Sequence, residues 1–345
     1  MSHHIEDLLS GWLAAPDDEW VLAVITDVKG SAYRKVGAMM LINSMGKSIG
    51  VVSGGCLEAD LRRHGQKALQ TGRAISVCYD ASDESDASYQ LGCGGIVTLM
   101  LVPLCRENHH LHFSELSEAL TQSTHCFYQL SLCQQSAPQQ AIQSAVFYQP
   151  SDVDKVSNDQ GLSDVTMAGI HQTECPSLVI PLRRRYRIAI FGGGLDAQPI
   201  SRIAQELGWQ VNVVDERPSY ARAHDFAGAR VFRQPLESLA DDFWQGLDGA
   251  IIMQHNLTLD AKALSLVQRN SGDMVYLALL GPSHRRDKVL ALAQLQLSDI
   301  HPFFSAPAGL ALGGELPQSI ALSILSECHG ILHGAKFGAL KEVMR

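Results

Sequence analysis

The sequence predicts an α/β protein in two parts: a mixed α/β domain at the N-terminus, then a doubly wound parallel sheet. Three observations predict it. Residues 187–191 form a short apolar strand pattern that runs into Gly192-Gly193-Gly194-Leu195-Asp196-Ala197 and then into a helical face of Ala197, Ile200, Ile203, Ala204 and Leu207. A glycine turn between strand and helix is the dinucleotide fingerprint of a Rossmann-like fold. Asp215 closes the next strand, about 20 positions on, where that fingerprint wants a carboxylate for a ribose hydroxyl. Further strand patterns at 229–232, 249–253 and 274–280 alternate with helical ones at 236–244 and 259–269, as parallel βαβ units require. Upstream, a second turn, Ser53-Gly54-Gly55-Cys56-Leu57-Glu58, again joins a strand pattern to a helical one.

Composition bounds the function. The chain has 345 residues, 46% hydrophobic and 18% charged, an ordinary globular balance with room for two or three domains. A net charge of -9 argues against general nucleic-acid binding. No apolar run reaches the roughly 18 residues of a membrane helix. Met-Ser-His-His and the acidic segment after it do not make a signal peptide, so the expectation is a cytoplasmic protein. The cysteines are Cys56, Cys78, Cys93, Cys105, Cys126, Cys133, Cys175 and Cys328; none forms a Cys-x-x-Cys pair, and most are expected to be reduced packing residues. His-Glu-x-x-His, P-loop and Gly-x-Ser-x-Gly patterns are absent from the sequence.

In order along the chain, Ile5, Leu8, Leu9, Trp12 and Leu13 share one helical face. Residues 20–28 read as a buried strand, 30–37 as a loop with two basic residues, and 38–43 with 47–52 as a hairpin around Ser44-Met45-Gly46. The helix after the Cys56 turn ends at Gly72, a residue suited to a left-handed cap. Strands are expected at 74–79 and 95–102, with an acidic, serine-rich loop at 80–88 between them. A helix is expected at 109–120 and strands at 125–133, 141–148 and 178–182; residues 149–174 are polar and irregular. Arg183, Arg184, Arg185 and Arg187 form a basic run that reads as a solvated junction or, more sharply, as a phosphate contact. The last helix starts at Pro317. The expected domains are 1–105, with 106–182 attached to it, and 183–345.

Several residues have the chemistry of an anion site. Gly54 and Gly55 permit a sharp bend and close ligand approach, beside backbone N–H groups at the positive end of a helix. Cys56, at that helix start, is placed where a thiolate is favoured. Leu91-Gly92-Cys93-Gly94-Gly95 repeats the glycine–cysteine chemistry. Ser53 either donates to a ligand or caps the helix, and Glu58 either complements the helix dipole or serves as a site carboxylate. Arg34 is a phosphate ligand or a solvated loop residue. In the second half, Gly192, Gly194 and Asp215 are expected to face a ligand; Arg217 would instead suit a 2′-phosphate, and His255 is a structural histidine or an edge ligand.

Gly30-Ser31-Ala32 with Arg34 and Gly37, then Val52 to Glu58, then Gly92 to Gly95, resemble the motifs of the XdhC/CoxI family, accessory proteins of molybdenum hydroxylases such as xanthine dehydrogenase. Phe191 to Gly194, Val214 to Pro218, His255, Pro307 to Leu310 and Ile320 to Glu327 resemble its second half. The chain departs from the family pattern at Leu195-Asp196, usually His-Val, at Pro282-Ser283-His284, and at Ala311, usually Asp. The resemblance implies an accessory protein rather than a catalyst. It would bind the molybdenum cofactor, a pterin with a dithiolene and a phosphate, protect it, and pass it to an apo-molybdenum hydroxylase. It also implies traffic with a cysteine desulfurase or another maturation protein. A homodimer is expected on the general preference for symmetric pairs, and charge and hydropathy predict no nucleic-acid or membrane partner. Cys56 and Cys93 then become candidate molybdenum contacts, since soft thiolates suit that metal. The competing function, resting on the fingerprint and Asp215, is an NAD(P)-dependent oxidoreductase.

Overall fold

The structure, a computed structural model, describes residues 4–80, 95–132, 142–148, 167–171, 176–270 and 272–338. It divides into two compact units, Ser2–Arg184 and Arg185–Arg345.

The first unit begins with helix α1 (Ile5–Leu13) and continues through β1 (Trp20–Lys29), β2 (Met39–Asn43), β3 (Ser48–Gly50), α2 (Glu58–Thr71), β4 (Ile75–Asp80) and β5 (Ile96–Leu104). These strands form one antiparallel sheet in the order β3-β2-β1-β5-β4. Trp20 to Ile25 are all fully buried, which places β1 at the centre with both faces covered. Alternation divides the strand. Trp20, Leu22 and Val24 pack with α1, while Val21, Ala23 and Ile25 pack under Leu57, Leu61 and Ala68 beneath α2. Each such side chain contributes about 1.5–3 kcal/mol on leaving water, so this strand anchors the unit.

After α3 (Phe113–Gln122), strands β6 (His125–Ser131), β7 (Ser144–Phe147), β8 (Gly169–His171) and β9 (Ser177–Arg183) make a second antiparallel sheet, ordered β7-β6-β9-β8. The helix expected over 109–120 starts only at Phe113. Residues His109 to His112 instead take φ of 49–54°, a left-handed turn. The buried Leu111 fixes it, since its carbonyl accepts from the Tyr128 hydroxyl at 2.8 Å. A tertiary bond thus overrides the helical pattern. The acidic loop at 80–88 lies outside the described residues beyond Asp80, as do Cys133 and Cys175.

The second unit comprises β10 (Arg187–Phe191), α4 (Ala197–Glu206), β11 (Gln210–Val214), β12 (Arg230–Phe232), α5 (Asp241–Trp244), β13 (Gly249–Ile252), α6 (Leu257–Asn270), β14 (Tyr276–Leu279), α7 (Ser283–Ala293), β15 (Phe303–Ser305) and α8 (Pro317–Leu332). All six strands are parallel, in the order β12-β11-β10-β13-β14-β15. The order reverses between β10 and β13, the switch point of a Rossmann sheet. Ile188, Ile190, Val211 and Val213 pack with α4 and α8, while Ala189, Phe191, Ala250 and Ile252 pack with α5 and α6. The helix expected over 236–244 is broken into a turn at Leu236–Ser238 and the single-turn α5.

Candidate functional site

The first unit brings its motifs to one end of a sheet. Antiparallel register sets Lys29 opposite Ile96, Asp80 opposite Ile96, and Met40 opposite Gly50. The segments 30–38 and 51–57 therefore leave the same end of this sheet, where β4 ends at Asp80 and β5 begins after Gly95. Two close approaches join them. A Cβ on Gly95 would lie 2.2 Å from the Ser31 carbonyl oxygen, so only glycine lets β5 begin there. The Tyr33 ring lies 3.8 Å from where a Gly54 Cβ would be.

The turn into α2 is held by one hydroxyl. Ser53 Oγ donates to Glu58 Oε2 at 2.5 Å and accepts from the backbone N–H groups of Gly55 (3.2 Å) and Leu57 (3.1 Å). The Ser53 N–H donates to Glu58 Oε1 at 3.2 Å. Both side chains are buried. A serine has one proton to donate, and Ser53 gives it to Glu58, so Ser53 frames the turn rather than reaching out to a ligand. Glu58 likewise faces inward at the start of α2. What the frame presents is Gly54, Gly55 and Cys56, all exposed, with Cys56 a free thiol. Gly55 has φ +108° with open space around it, so conformation rather than crowding requires glycine there. Arg34 is half-buried and makes no hydrogen bond or ion pair with other described residues. Cys93 and Gly94 lie outside the described residues.

The second unit uses its fingerprint differently from the expectation. Gly192 has φ +123°, and a Cβ there would lie 2.5 Å from the Met253 carbonyl oxygen. A Cβ on Gly193 would lie 2.4 Å from the Ala221 nitrogen, whose N–H bonds the Gly193 carbonyl at 3.1 Å. Asp215 is fully buried and its carboxylate is saturated. Oδ1 accepts from Arg217 N (3.0 Å) and Nε (2.8 Å); Oδ2 accepts from Gly193 N and from Arg217 Nη2 at 2.6 Å. Two carboxylate oxygens offer about four lone-pair sites, and four N–H groups fill them. Burial pushes the Asp215 carboxyl up, but Arg217 and the two amides outweigh it and hold it below the ordinary range.

Arg217 also reaches the Gln254 carbonyl at 2.9 Å and lies over the Tyr220 ring. Asp196, at the start of α4 where a pyrophosphate would sit, is a carboxylate paired with His255 at 3.1 Å. Beyond it, Asp260 accepts from Gln254 N and Arg285 Nη2. These residues do not fit an NAD(P) ribose and pyrophosphate. Where the sequence pattern suggests a ribose ligand at Asp215 and a 2′-phosphate ligand at Arg217, in this structure each is the other's partner. Gly194 alone of the turn's glycines keeps ordinary space, 3.8 Å from Tyr220. A spacing rule locates such an acid; it carries no information on an arginine two residues later that turns back onto it.

Residues 188–328 match the model of the XdhC Rossmann domain, and residues 13–80 match that of the XdhC and CoxI family. The chain belongs to the XdhC and CoxI family. This XdhC-type chain is 27% identical to a probable xanthine dehydrogenase subunit from Bacillus subtilis over 91% of its own length and 94% of that protein's. It is also 27% identical to the "Molybdenum cofactor insertion chaperone PaoD" of Escherichia coli, over 64% of this chain and 58% of that one. A solved structure described as a xanthine dehydrogenase from Bacillus halodurans superposes with a TM-score of 0.73 at 25% identity, covering 99% of this XdhC-type chain and all of that one. Among the described residues, no group of His, Cys, Asp and Glu could hold a metal ion, and no helix is long and apolar enough to cross a membrane.

Proposed function

We propose that this chain is a molybdenum-cofactor chaperone: it binds the cofactor as cargo, shields it, and hands it to an apo-molybdenum hydroxylase. The observation that carries this reading is the Ser53–Glu58 frame, which presents Cys56 next to the exposed Gly54 and Gly55 at the end of the sheet from which the 30–38 loop also leaves. The role named for the Escherichia coli relative supports it. The chemistry is a division of labour. The exposed thiol of Cys56 meets the soft sulfur-and-metal end of the cargo. Gly54 and Gly55, upstream of α2 and without side chains, let the cargo approach the backbone closely, and Arg34 supplies a guanidinium not engaged elsewhere among the described residues.

Ser53 and Glu58 act at one remove, by holding the turn in shape. Exposure of the thiol suits a carrier, which must release what it holds. A homodimer, a desulfurase that supplies sulfur, and a place in the cytoplasm are further parts of this proposal. The test is retention. The full chain is mixed with molybdenum cofactor and passed over a desalting column, with molybdenum and pterin measured in the protein fraction. Cofactor should co-elute with the chain and be lost from the Cys56→Ala, Cys93→Ala double variant. Equal retention by that variant removes the thiols from the mechanism.

A further inference from the structure

Tyr33 stands exposed on a loop that is itself held in place. Of the large apolar side chains in the segments 30–38 and 51–57, it alone is exposed, at 63%. The loop is pinned at both ends. The Gly37 N–H donates to the Ile25 carbonyl at 2.9 Å and the Ala38 N–H to the Lys35 carbonyl at 3.1 Å, while the Gly95 backbone closes against Ser31. The ring meets the turn into α2 at one edge. Only its Cδ2 and Cε2 atoms come within 4 Å of where a Gly54 Cβ would be, at 3.8 and 3.9 Å. A Cβ over the ring centre would be equally near all six ring atoms, so Gly54 borders the ring and covers neither face. The Tyr33 hydroxyl makes no hydrogen bond, and its ring no aromatic or cationic contact, with other described residues. Cys56 is two Cα–Cα steps from Gly54, at most about 7.6 Å away.

We propose that Tyr33 is the stacking platform for the pterin ring of the cargo. This rests on the chaperone reading above and names the residue that holds the flat part of the cofactor. A pterin is a planar heteroaromatic, and planar rings associate with an aromatic side chain by offset stacking. Stacking needs an open face on a ring already fixed in place. Tyr33 has both, and a loop pinned before the cargo arrives leaves little ordering to oppose binding. Its hydroxyl, at the rim, can donate to or accept from the polar edge of the pterin. Glycine at position 54 keeps the approach clear, because a longer side chain there would lie against the ring. The thiol of Cys56, the ring of Tyr33 and the guanidinium of Arg34 then meet three different parts of one compact molecule: sulfur and metal, pterin, and phosphate.

Equilibrium dialysis of the full chain against molybdenum cofactor tests it, with the pterin measured by its fluorescence after oxidation. Tyr33→Ala should weaken the cofactor about tenfold, as removal of a stacking aromatic does, and Tyr33→Phe should stay within about twofold of the parent. On binding, the pterin absorption band should lose intensity with the parent and with Tyr33→Phe, a mark of stacking that Tyr33→Ala at saturation lacks. Tyr33 is exposed, so both variants should unfold at the parent temperature. Unchanged affinity in Tyr33→Ala overturns the proposal, and so does a Tyr33→Phe as weak as Tyr33→Ala, which assigns the hydroxyl instead of the ring. The two readings fail separately. If the Cys56→Ala, Cys93→Ala variant loses the cofactor and Tyr33→Ala keeps it, the chaperone reading stands and the stacking role falls. If the thiol variant keeps it and Tyr33→Ala loses it, the stacking role stands without the thiols. A parent chain that binds no cofactor overturns both.

Discussion

Asp215 shows how much one side chain changes the meaning of a motif. Its position satisfies the dinucleotide spacing, yet Arg217 and Gly193 consume every acceptor site it has. We predict that titration with NADH gives no enhancement of nicotinamide fluorescence up to about millimolar concentration, the weak end of the affinity scale. Clear saturation below that would show that the Arg217 clamp opens. The same crowding separates the glycines. Gly193→Ala would force a Cβ to 2.4 Å from backbone, and should cost about 2–3 kcal/mol in denaturant unfolding. Gly54→Ala meets nothing nearer than 3.8 Å and should stay within about 0.5 kcal/mol of the parent. Both glycines stand in equally conspicuous motifs; only their neighbours distinguish a packing glycine from a presenting one.

Among the elements, the turn into α2 is the one whose integrity the proposed function needs. Helix α2 has no side-chain cap of its own at Leu57; Ser53, four residues upstream, accepts from the Leu57 N–H instead. Ser53→Ala removes that acceptor, the Gly55 acceptor and the Glu58 donor together. It should cost about 1–2 kcal/mol, the range of a lost N-cap. Amide hydrogen exchange should speed up at Gly55 and Leu57 while β1 keeps its protection. Unchanged exchange at both amides would mean the hydroxyl does not hold the turn. Sequence pattern found most elements here because α2 repeats at 3.6 residues while β1 and the parallel strands are short unbroken apolar runs. It offered nothing for β15, three residues closed between Pro302 and Pro307, or for α7, whose basic first turn masks its apolar face. The left-handed turn at His109–His112 was illegible for a different reason: non-glycine residues take that conformation only under tertiary constraint.

Over the whole molecule, charges at the Rossmann edge make stability depend on pH. The Asp215 carboxyl titrates lower in the folded chain than in the unfolded one, so its contribution is present in full above the unfolded value, about 3.9. That contribution is lost as pH falls through the folded value. Asp260 has the opposite sign: burial raises its carboxyl despite Arg285, so part of its cost disappears on acidification. The prediction is that Asp215→Asn lowers the melting temperature at pH 7 and that the gap to the parent narrows below about pH 4. A gap constant with pH would show that shape, not charge, is what Asp215 contributes.

By itself, the sequence determined that this chain has a Rossmann-type second half, that its glycine–cysteine turns join strands to helices, and that it resembles one family. Those features follow from local geometry, because strand and helix periods and glycine conformations are written over a few consecutive residues. Only the tertiary structure decided which polar groups are left to meet a ligand. It turned Ser53 onto Glu58 and Arg217 onto Asp215, and left Cys56 exposed. A hydrogen-bonding group binds whatever lies nearest in space, and the fold alone sets that neighbour.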